Sequence, residues 1–479
     1  MTAARTCRLL TLGCKVNQYE TQYVKELLEA NGYREAAASE PADLCIVNTC
    51  TVTHEADAKG RQLIRRLAQA NPGAALIVMG CYATREPETL ARLPGVTQVN
   101  TDKARLAKEL RPFGVSRIPA GISRFDGHRR AFVKVQDGCL LNCSYCIIPH
   151  VRPILRSRPV EEIAQEVRQL VQNGSREVVL TGIHLGHYGI DLSRGKVKSD
   201  WCRLWHLLRH LDTLPGDFRI RLSSLEAAEV RGELVEAIAG SRRICPHLHL
   251  CLQSGSDQIL AAMKRRYRVA GFLERWRRLR AALDWPAFTS DLIVGFPGET
   301  EADFEATCQV ARHVGFSKIH VFSFSPRRGT PAANLPGQVP SQVIAARRRR
   351  LVQLDCELAE KYHRSLLGRR LDVLVEGPYR RSPRHVIGTS CRYAPVVFEG
   401  HLPALLSRRV PVQAVAVAEG VVYAHPEPEP AGLAFSEDHG EPAEALRRIS
   451  LAQIPPSIPM GNEFLRSDYT LPAGQAEMC

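Results

Sequence analysis

Short apolar runs alternate with amphipathic helical stretches along most of the chain. Residues 7–12 (CRLLTL) end at Gly13-Cys14, and a helical pattern of Tyr23, Leu27, Leu28 and Ala30 follows, stopping at Asn31-Gly32. A second run, Leu44 to Val47, ends at Asn48-Thr49-Cys50 and precedes a predicted helix from about His54 to Ala70. A third, Ala75 to Met79, ends at Gly80-Cys81, again with a helix behind it. This βαβαβ alternation predicts a parallel sheet covered by helices. Each run closes on a cysteine just past its C-terminal end, where open α/β sheets place their ligand sites. Cys14, Cys50 and Cys81 are therefore placed to converge although they lie far apart in sequence. Cys7 and Cys45 fall at strand starts or interiors and read as small buried hydrophobes.

Residues 101–130, rich in Arg, Gly and Ser, read as a linker. From Phe132 a longer series begins: runs 132–136, 176–182, 218–224, 247–255, 288–299 and 318–326, each but the last followed by a helical pattern. Six βα units predict an open parallel barrel, smaller than the closed eightfold one, with its chemistry at the C-terminal strand ends. Ser341 to Leu367 is a charged helix carrying Arg347, Arg348, Arg349 and Arg350, read equally as a solvated face or as an RNA-facing stripe. Residues 371–424 alternate short β-like runs with Gly and Pro turns, as in a small β-barrel. After PEPEPAG periodicity fades, and the tail reads as disordered. The expected fold is thus α/β throughout: a Rossmann-like βαβ domain (6–115), a central open (β/α)6 partial barrel (125–366), a small C-terminal β-barrel (367–426) and a disordered tail (427–479).

Composition narrows the class. Charged residues at 24% and apolar ones at 44% are ordinary for a soluble protein, and 479 residues supply ample core. A net charge of +14 points to a polyanionic partner such as nucleic acid. No apolar run approaches the ~20 residues that span a bilayer, and the N-terminus lacks a signal-peptide pattern. Fifteen cysteines without an export signal read as thiols and metal ligands in a reducing compartment. A cytoplasmic, multidomain enzyme with no membrane association is the expectation.

The strongest chemical signal is GCLLNCSYC at 138–146, which sets Cys139, Cys143 and Cys146 in a C-x3-C-x2-C array. Three close thiolates hold three irons of a cubane 4Fe–4S cluster and leave the fourth open to a non-protein ligand, whereas a self-contained cluster takes four cysteines. The alternatives are three unrelated core cysteines or half of a zinc site. The spacing matches neither ferredoxin pattern.

That array, with Tyr145 ahead of its last cysteine, resembles the radical S-adenosylmethionine (SAM) enzymes. With LGCKVNQYET (12–21), NTCTVTHEADAK (48–59), MGCYA (79–83), HLHLCLQSGSDQILAAMKRRY and DLIVGFPGETEADF, the chain from about residue 8 to 424 resembles the methylthiotransferases, most closely their MtaB class. The resemblance implies SAM as cofactor and two 4Fe–4S clusters, one on Cys139, Cys143 and Cys146 and an auxiliary one on Cys14, Cys50 and Cys81. It implies a C-terminal TRAM domain, a tRNA anticodon loop as partner and an external one-electron reductant. The implied reaction places a methylthio group on carbon 2 of threonylcarbamoyladenosine; that carbon bears an unactivated C–H bond, which needs cofactor radical chemistry. Isopentenyladenosine in tRNA and a ribosomal-protein side chain are the alternative substrates, and an RNA-binding protein with structural clusters is the reading from another class. Carried over by position, Tyr145, Thr181, Gly182, Ser223, Glu226, Gln253, Ile293 and Gly295 contact SAM, and Gly388, Thr389, Arg392 and Tyr393 contact RNA phosphates. The chain departs from the family pattern at Pro153, Cys251 and Ala227, where Gly, Pro and Pro are usual.

Overall fold

The computed structural model describes residues 5–427; the tail, with Cys479, lies outside the described residues. Strands β1 (Arg5–Thr11), β2 (Tyr33–Glu35), β3 (Leu44–Thr49), β4 (Ala75–Gly80) and β5 (Val96–Val99) form one parallel sheet ordered β2-β1-β3-β4-β5. Helices α1 (Lys15–Glu29) and α2 (His54–Ala70) are among those that cover it. The cores on its two faces explain the near-continuous apolar strands: Cys7, Ile46 and Ile77 with Leu27 on one side, Cys45, Val47 and Val78 with Ile64 on the other. Cys7 and Cys45 are fully buried there, as read.

The 101–130 stretch is less loose than its composition implies. Leu106, Leu110 and Val115 join the core beside Cys7. Farther on, the Tyr23 hydroxyl donates to the Pro119 carbonyl, and Glu26 accepts from the Ser123 and Arg124 amides. The segment is strapped to α1, with side chains satisfying backbone groups that secondary structure would otherwise pair.

Six parallel strands follow: β6 (Ala131–Asp137), β7 (Glu177–Gly182), β8 (Arg219–Leu222), β9 (His247–Cys251), β10 (Ala287–Val294) and β11 (Lys318–Ser323). β6-β7-β8 and β9-β10-β11 pair in sequence order, and a bridge between Ile220 and Ile244 joins the two sets. The result is the open (β/α)6 partial barrel. One core of Val133, Leu180, Leu222, Leu250 and Leu292 fills it, and Tyr19 of α1 joins that core.

The charged helix, α3 (Ser341–Arg364), separates its arginines. Arg347 is buried against Glu299 (2.8 Å), and Arg350 pairs with Glu301 and Glu305, both over the Phe304 ring. Arg347 is thus a packed position, whereas Arg350 stays half exposed in its ion pairs. Strands β12 (Arg370–Pro378), β13 (His385–Ser390), β14 (Pro395–Glu399), β15 (Arg409–Ala418) and β16 (Val421–Pro426) close a five-stranded barrel.

This small barrel docks on the N-terminal ends of β7, β8 and β9. Buried Glu177 accepts from Arg219 and Arg221, whose remaining N–H groups donate to the carbonyls of Asp372, Thr389, Ser390 and Cys391. Tyr393, at φ +63°, stacks on His247 with ring centroids 4.6 Å apart. Arg392 is buried against Asp284 and the Trp285 carbonyl. Of the residues expected to contact phosphate, Thr389 donates its hydroxyl to Glu376 within the small barrel, while Arg392 and the Tyr393 ring pack between the barrels. No described helix is long and apolar enough to cross a membrane.

Candidate active site

Register brings the first cysteine trio together. Thr11 pairs with Asn48 and Thr49 with Gly80, so β1, β3 and β4 end side by side. Cys50 and Cys81 directly follow two of those ends. Two glycines make room: at Gly13 (φ +112°) a Cβ would lie 2.9 Å from Cys50 Cβ, and at Gly80 (φ +102°) 2.3 Å from the Thr49 carbonyl oxygen. Asn17 Nδ2 ties the first two strand ends, donating to the Leu12 (2.9 Å) and Thr49 (3.2 Å) carbonyls. The third tie comes from Thr51 and Asp57, which hold Arg85 and the fully buried Arg327. Arg327 follows β11, so this tie joins the cysteine sheet to the partial barrel.

The second trio sits at the C-terminal end of β6. Gly138 takes the turn at φ +79°, where a Cβ would meet the Ile154 carbonyl oxygen at 2.1 Å. Around the loop, Arg265 Nη1 donates to Cys143 Sγ (3.2 Å) and Tyr145 Oη (3.4 Å), and its Nη2 lies 3.4 Å from Glu226. Tyr267, stacked under that guanidinium, donates to the Cys251 carbonyl. His184 Nδ1 lies 3.8 Å from Cys139 Sγ, and burial, then the stacked His187, depresses its imidazolium to about 3.

A cavity of about 230 Å³ opens over this loop. Its wall includes Cys139, Cys143 and Cys146 on one side, Glu226, Gln253 and Ile293 from the barrel, and Val52 and Thr53 from the loop after Cys50. The loop after Cys50 thus reaches the space over the second trio, although Cys14, Cys50 and Cys81 are not among its lining residues, and Cys81 packs with Ile147 and Val151 beyond the second trio.

Of the residues carried over as SAM contacts, Tyr145, Gly182, Glu226, Gln253 and Ile293 line the cavity. Thr181, Ser223 and Gly295 are not among its lining residues. At Gly295 (φ +78°) the space a Cβ would need is taken by Ile344 of α3 (2.4 Å), so helix packing requires the glycine. Cys251, the departure from the family pattern, also lines the cavity, 4.0 Å from Asp291 Oδ2. Beside it burial disfavours the His249 imidazolium, but Asp291, 3.3 Å from Nε2, overrides this and raises it to about 10.

The donor sets fit iron–sulfur clusters and SAM. Burial pushes the Cys50 and Cys146 thiols up to about 12 and Cys139 to about 11, and raises Cys14 as well. Such thiols are poor nucleophiles at neutral pH, whereas a bound cation deprotonates a coordinating thiol outright. Glu226 Oε1 is buried and has no hydrogen-bond partner in the protein, an acceptor left for a ligand on the cavity wall.

Sequence reading missed Asn17, Asp57, Arg152, Arg265 and Arg327. Asn17, Asp57 and Arg265 lie inside the quoted motifs, and their signal was polar residues within blocks otherwise explained by strands and cysteines. Arg327 had no comparable signal, since its partners lie more than 250 residues away, the Asp57 contact spanning 270.

Family models match three stretches: Uncharacterized protein family UPF0004 over residues 6–101, Radical SAM superfamily over 133–311 and TRAM domain over 364–426. The threonylcarbamoyladenosine tRNA methylthiotransferase MtaB of Chlamydia pneumoniae is 42% identical over 374 residues, 78% of this chain and 87% of that protein. The tRNA-2-methylthio-N(6)-dimethylallyladenosine synthase of Mycobacterium bovis is 37% identical over 395 residues, 78% of this chain and 76% of that protein. Among solved structures, the radical SAM methyltransferase TsrM of Kitasatospora setae shares the fold, with TM-score 0.52 at 14% identity over 69% of this chain and 77% of that one.

Proposed function

We propose that this chain, which belongs to the radical SAM tRNA methylthiotransferases of the MtaB class, inserts a methylthio group at carbon 2 of N6-threonylcarbamoyladenosine beside the tRNA anticodon. The cavity walled by the second trio and by the loop after Cys50 is the observation that carries this reading. One trio, Cys139, Cys143 and Cys146, holds the cluster that binds SAM; the other, Cys14, Cys50 and Cys81, holds an auxiliary cluster. When bound, these groups supply the one-electron cleavage of SAM, the hydrogen abstraction and the sulfur that no side chain provides.

The chain's own residues do the rest. Arg265 fixes the Cys143 sulfur, the Tyr145 ring and Glu226 with one guanidinium, so the SAM end of the cavity is held rigid before ligand arrives. Glu226 Oε1, Gln253 and the backbone at Gly182 offer polar groups to SAM, and Ile293 and Phe322 line an apolar part of the wall that keeps water out. Val52 and Thr53 bring the auxiliary loop to the same cavity, so the target base has sulfur source and radical source in reach together. An external one-electron donor serves the clusters, and the domains divide as 6–115, 125–366 and 367–426.

Nucleoside mass spectrometry of tRNA from a deletion strain tests the substrate. Loss of 2-methylthio-threonylcarbamoyladenosine, restored by the intact gene, is the expected result. Loss of 2-methylthio-isopentenyladenosine instead, the activity named for the Mycobacterium bovis relative, would overturn it.

A further inference from the structure

A buried cluster of charges lies between the two cysteine trios, and its centre is Arg152. The side chain is nearly inaccessible, and each of its five N–H groups has a protein acceptor. Nε donates to Cys81 Sγ at 3.3 Å; Nη1 donates to Glu20 Oε1 (2.9 Å) and Asp137 Oδ1 (2.7 Å); Nη2 donates to Glu20 Oε2 (2.9 Å) and Asn17 Oδ1 (2.8 Å). Its backbone carbonyl accepts from the Cys139 amide at 3.4 Å. One residue thus touches a sulfur of the first trio and the backbone of the second.

Two lysines complete the cluster. Lys103 Nζ lies 3.3 Å from Glu20 and 3.9 Å from Cys81 Sγ, and Lys134 Nζ lies 3.0 Å from Glu20 and 3.1 Å from Asp137. Three cations therefore face two carboxylates, and the surplus positive charge is directed at Cys81. Burying such a network adds little net stability, because desolvation offsets the attraction. Hydrogen bonds and charge at a ligating sulfur, by contrast, are levers on a cluster's reduction potential.

We propose that Arg152 is a positioning residue for the auxiliary cluster, clamping Cys81 to the end of β6 and raising the reduction potential of whatever cluster the first trio holds. This rests on the assignment of Cys14, Cys50 and Cys81 to a cluster. The donated hydrogen bond and the positive charge stabilise the more negative, reduced state. They also make the auxiliary cluster's electronics depend on contact with the SAM-cluster loop, since the guanidinium is carried by that loop.

The test uses the full chain with Cys139, Cys143 and Cys146 all changed to Ala, so that only the auxiliary cluster is observed. After anaerobic reconstitution, its midpoint is read by potentiometric titration followed by electron paramagnetic resonance. Adding Arg152→Gln is expected to lower the reduced-to-oxidised ratio at fixed potential at least tenfold, about 59 mV for a one-electron couple. Arg152→Lys, which keeps the charge but not the fork of donors, is expected to lower it less. Unchanged midpoints in both variants overturn the proposal. If Arg152→Gln takes up no iron, Arg152→Lys decides, an unchanged midpoint again overturning it. A parent that itself holds no iron would overturn the cluster assignment and the proposal with it, which separates the two failures.

Discussion

At Gly80 the backbone runs at φ +102°, and the Thr49 carbonyl oxygen occupies the place of a Cβ. A methyl there must push β3 and β4 apart at the point where Cys50 and Cys81 leave them. Gly80→Ala is therefore expected to cost about 1–3 kcal/mol of stability and, on the proposed two-cluster assignment, to lower iron from about eight to about four per chain, measured by denaturant unfolding and iron assay. Cys146→Ala removes a thiol of the other trio; on the proposed cluster assignment the same assay is expected to show a comparable iron loss, and equilibrium dialysis is expected to show SAM binding abolished. A third test concerns Asp291 and His249. Because Asp291 holds the folded His249 near 10, above its unfolded value of about 6.5, the pair stabilises the fold fully below about pH 6.5. That contribution fades as pH rises through 10. Asp291→Asn is expected to be less stable than the parent at pH 6, with the gap closing toward pH 10, and to bring the His249 ring titration down in NMR spectra.

Among the elements, β8 shows how a strand can carry two jobs. Its alternation buries Ile220 and Leu222 in the barrel core and turns Arg219 and Arg221 toward Glu177 and the C-terminal barrel. Burial works against the Glu177 carboxylate, yet the two arginines hold it well below the usual range. Replacing Arg219 and Arg221 by Met leaves that carboxylate buried without partners, a loss of roughly 3–5 kcal/mol. Limited proteolysis is expected to cut near Gly368 faster in the double variant than in the parent. Helix α3 teaches the opposite lesson. Four consecutive arginines looked uniform along the chain, but a helix turns about 100° per residue, so Arg347 falls on the packed face and meets Glu299.

For the whole molecule, the net charge of +14 is a statement about partners rather than fold. Arg380, Arg381 and Arg384 stand exposed on the hairpin between β12 and β13, with Arg381 paired to Glu419. Changing all three to Gln is expected to weaken tRNA binding and to flatten the log-affinity against log-salt slope by about two units, with unfolding unchanged. The alternation of strands and helices, the cysteine at each strand end and the C-x3-C-x2-C loop were all legible along the chain, because each depends on residues close in sequence. Periodicity set the layers, and the strand-end rule placed Cys14, Cys50 and Cys81 on one edge before any coordinates. Three things were decided only in three dimensions. The strap of 101–130 is held by Glu26 and Tyr23, the C-terminal barrel is docked by Arg219 and Arg221, and the space between the trios is filled by Arg152, Glu20 and Asp137. Each depends on hydrogen bonds and charges whose partners lie tens to hundreds of residues away. A linear pattern carries the period of an element, but the partner of a buried charge is set by which elements the fold brings to the same place.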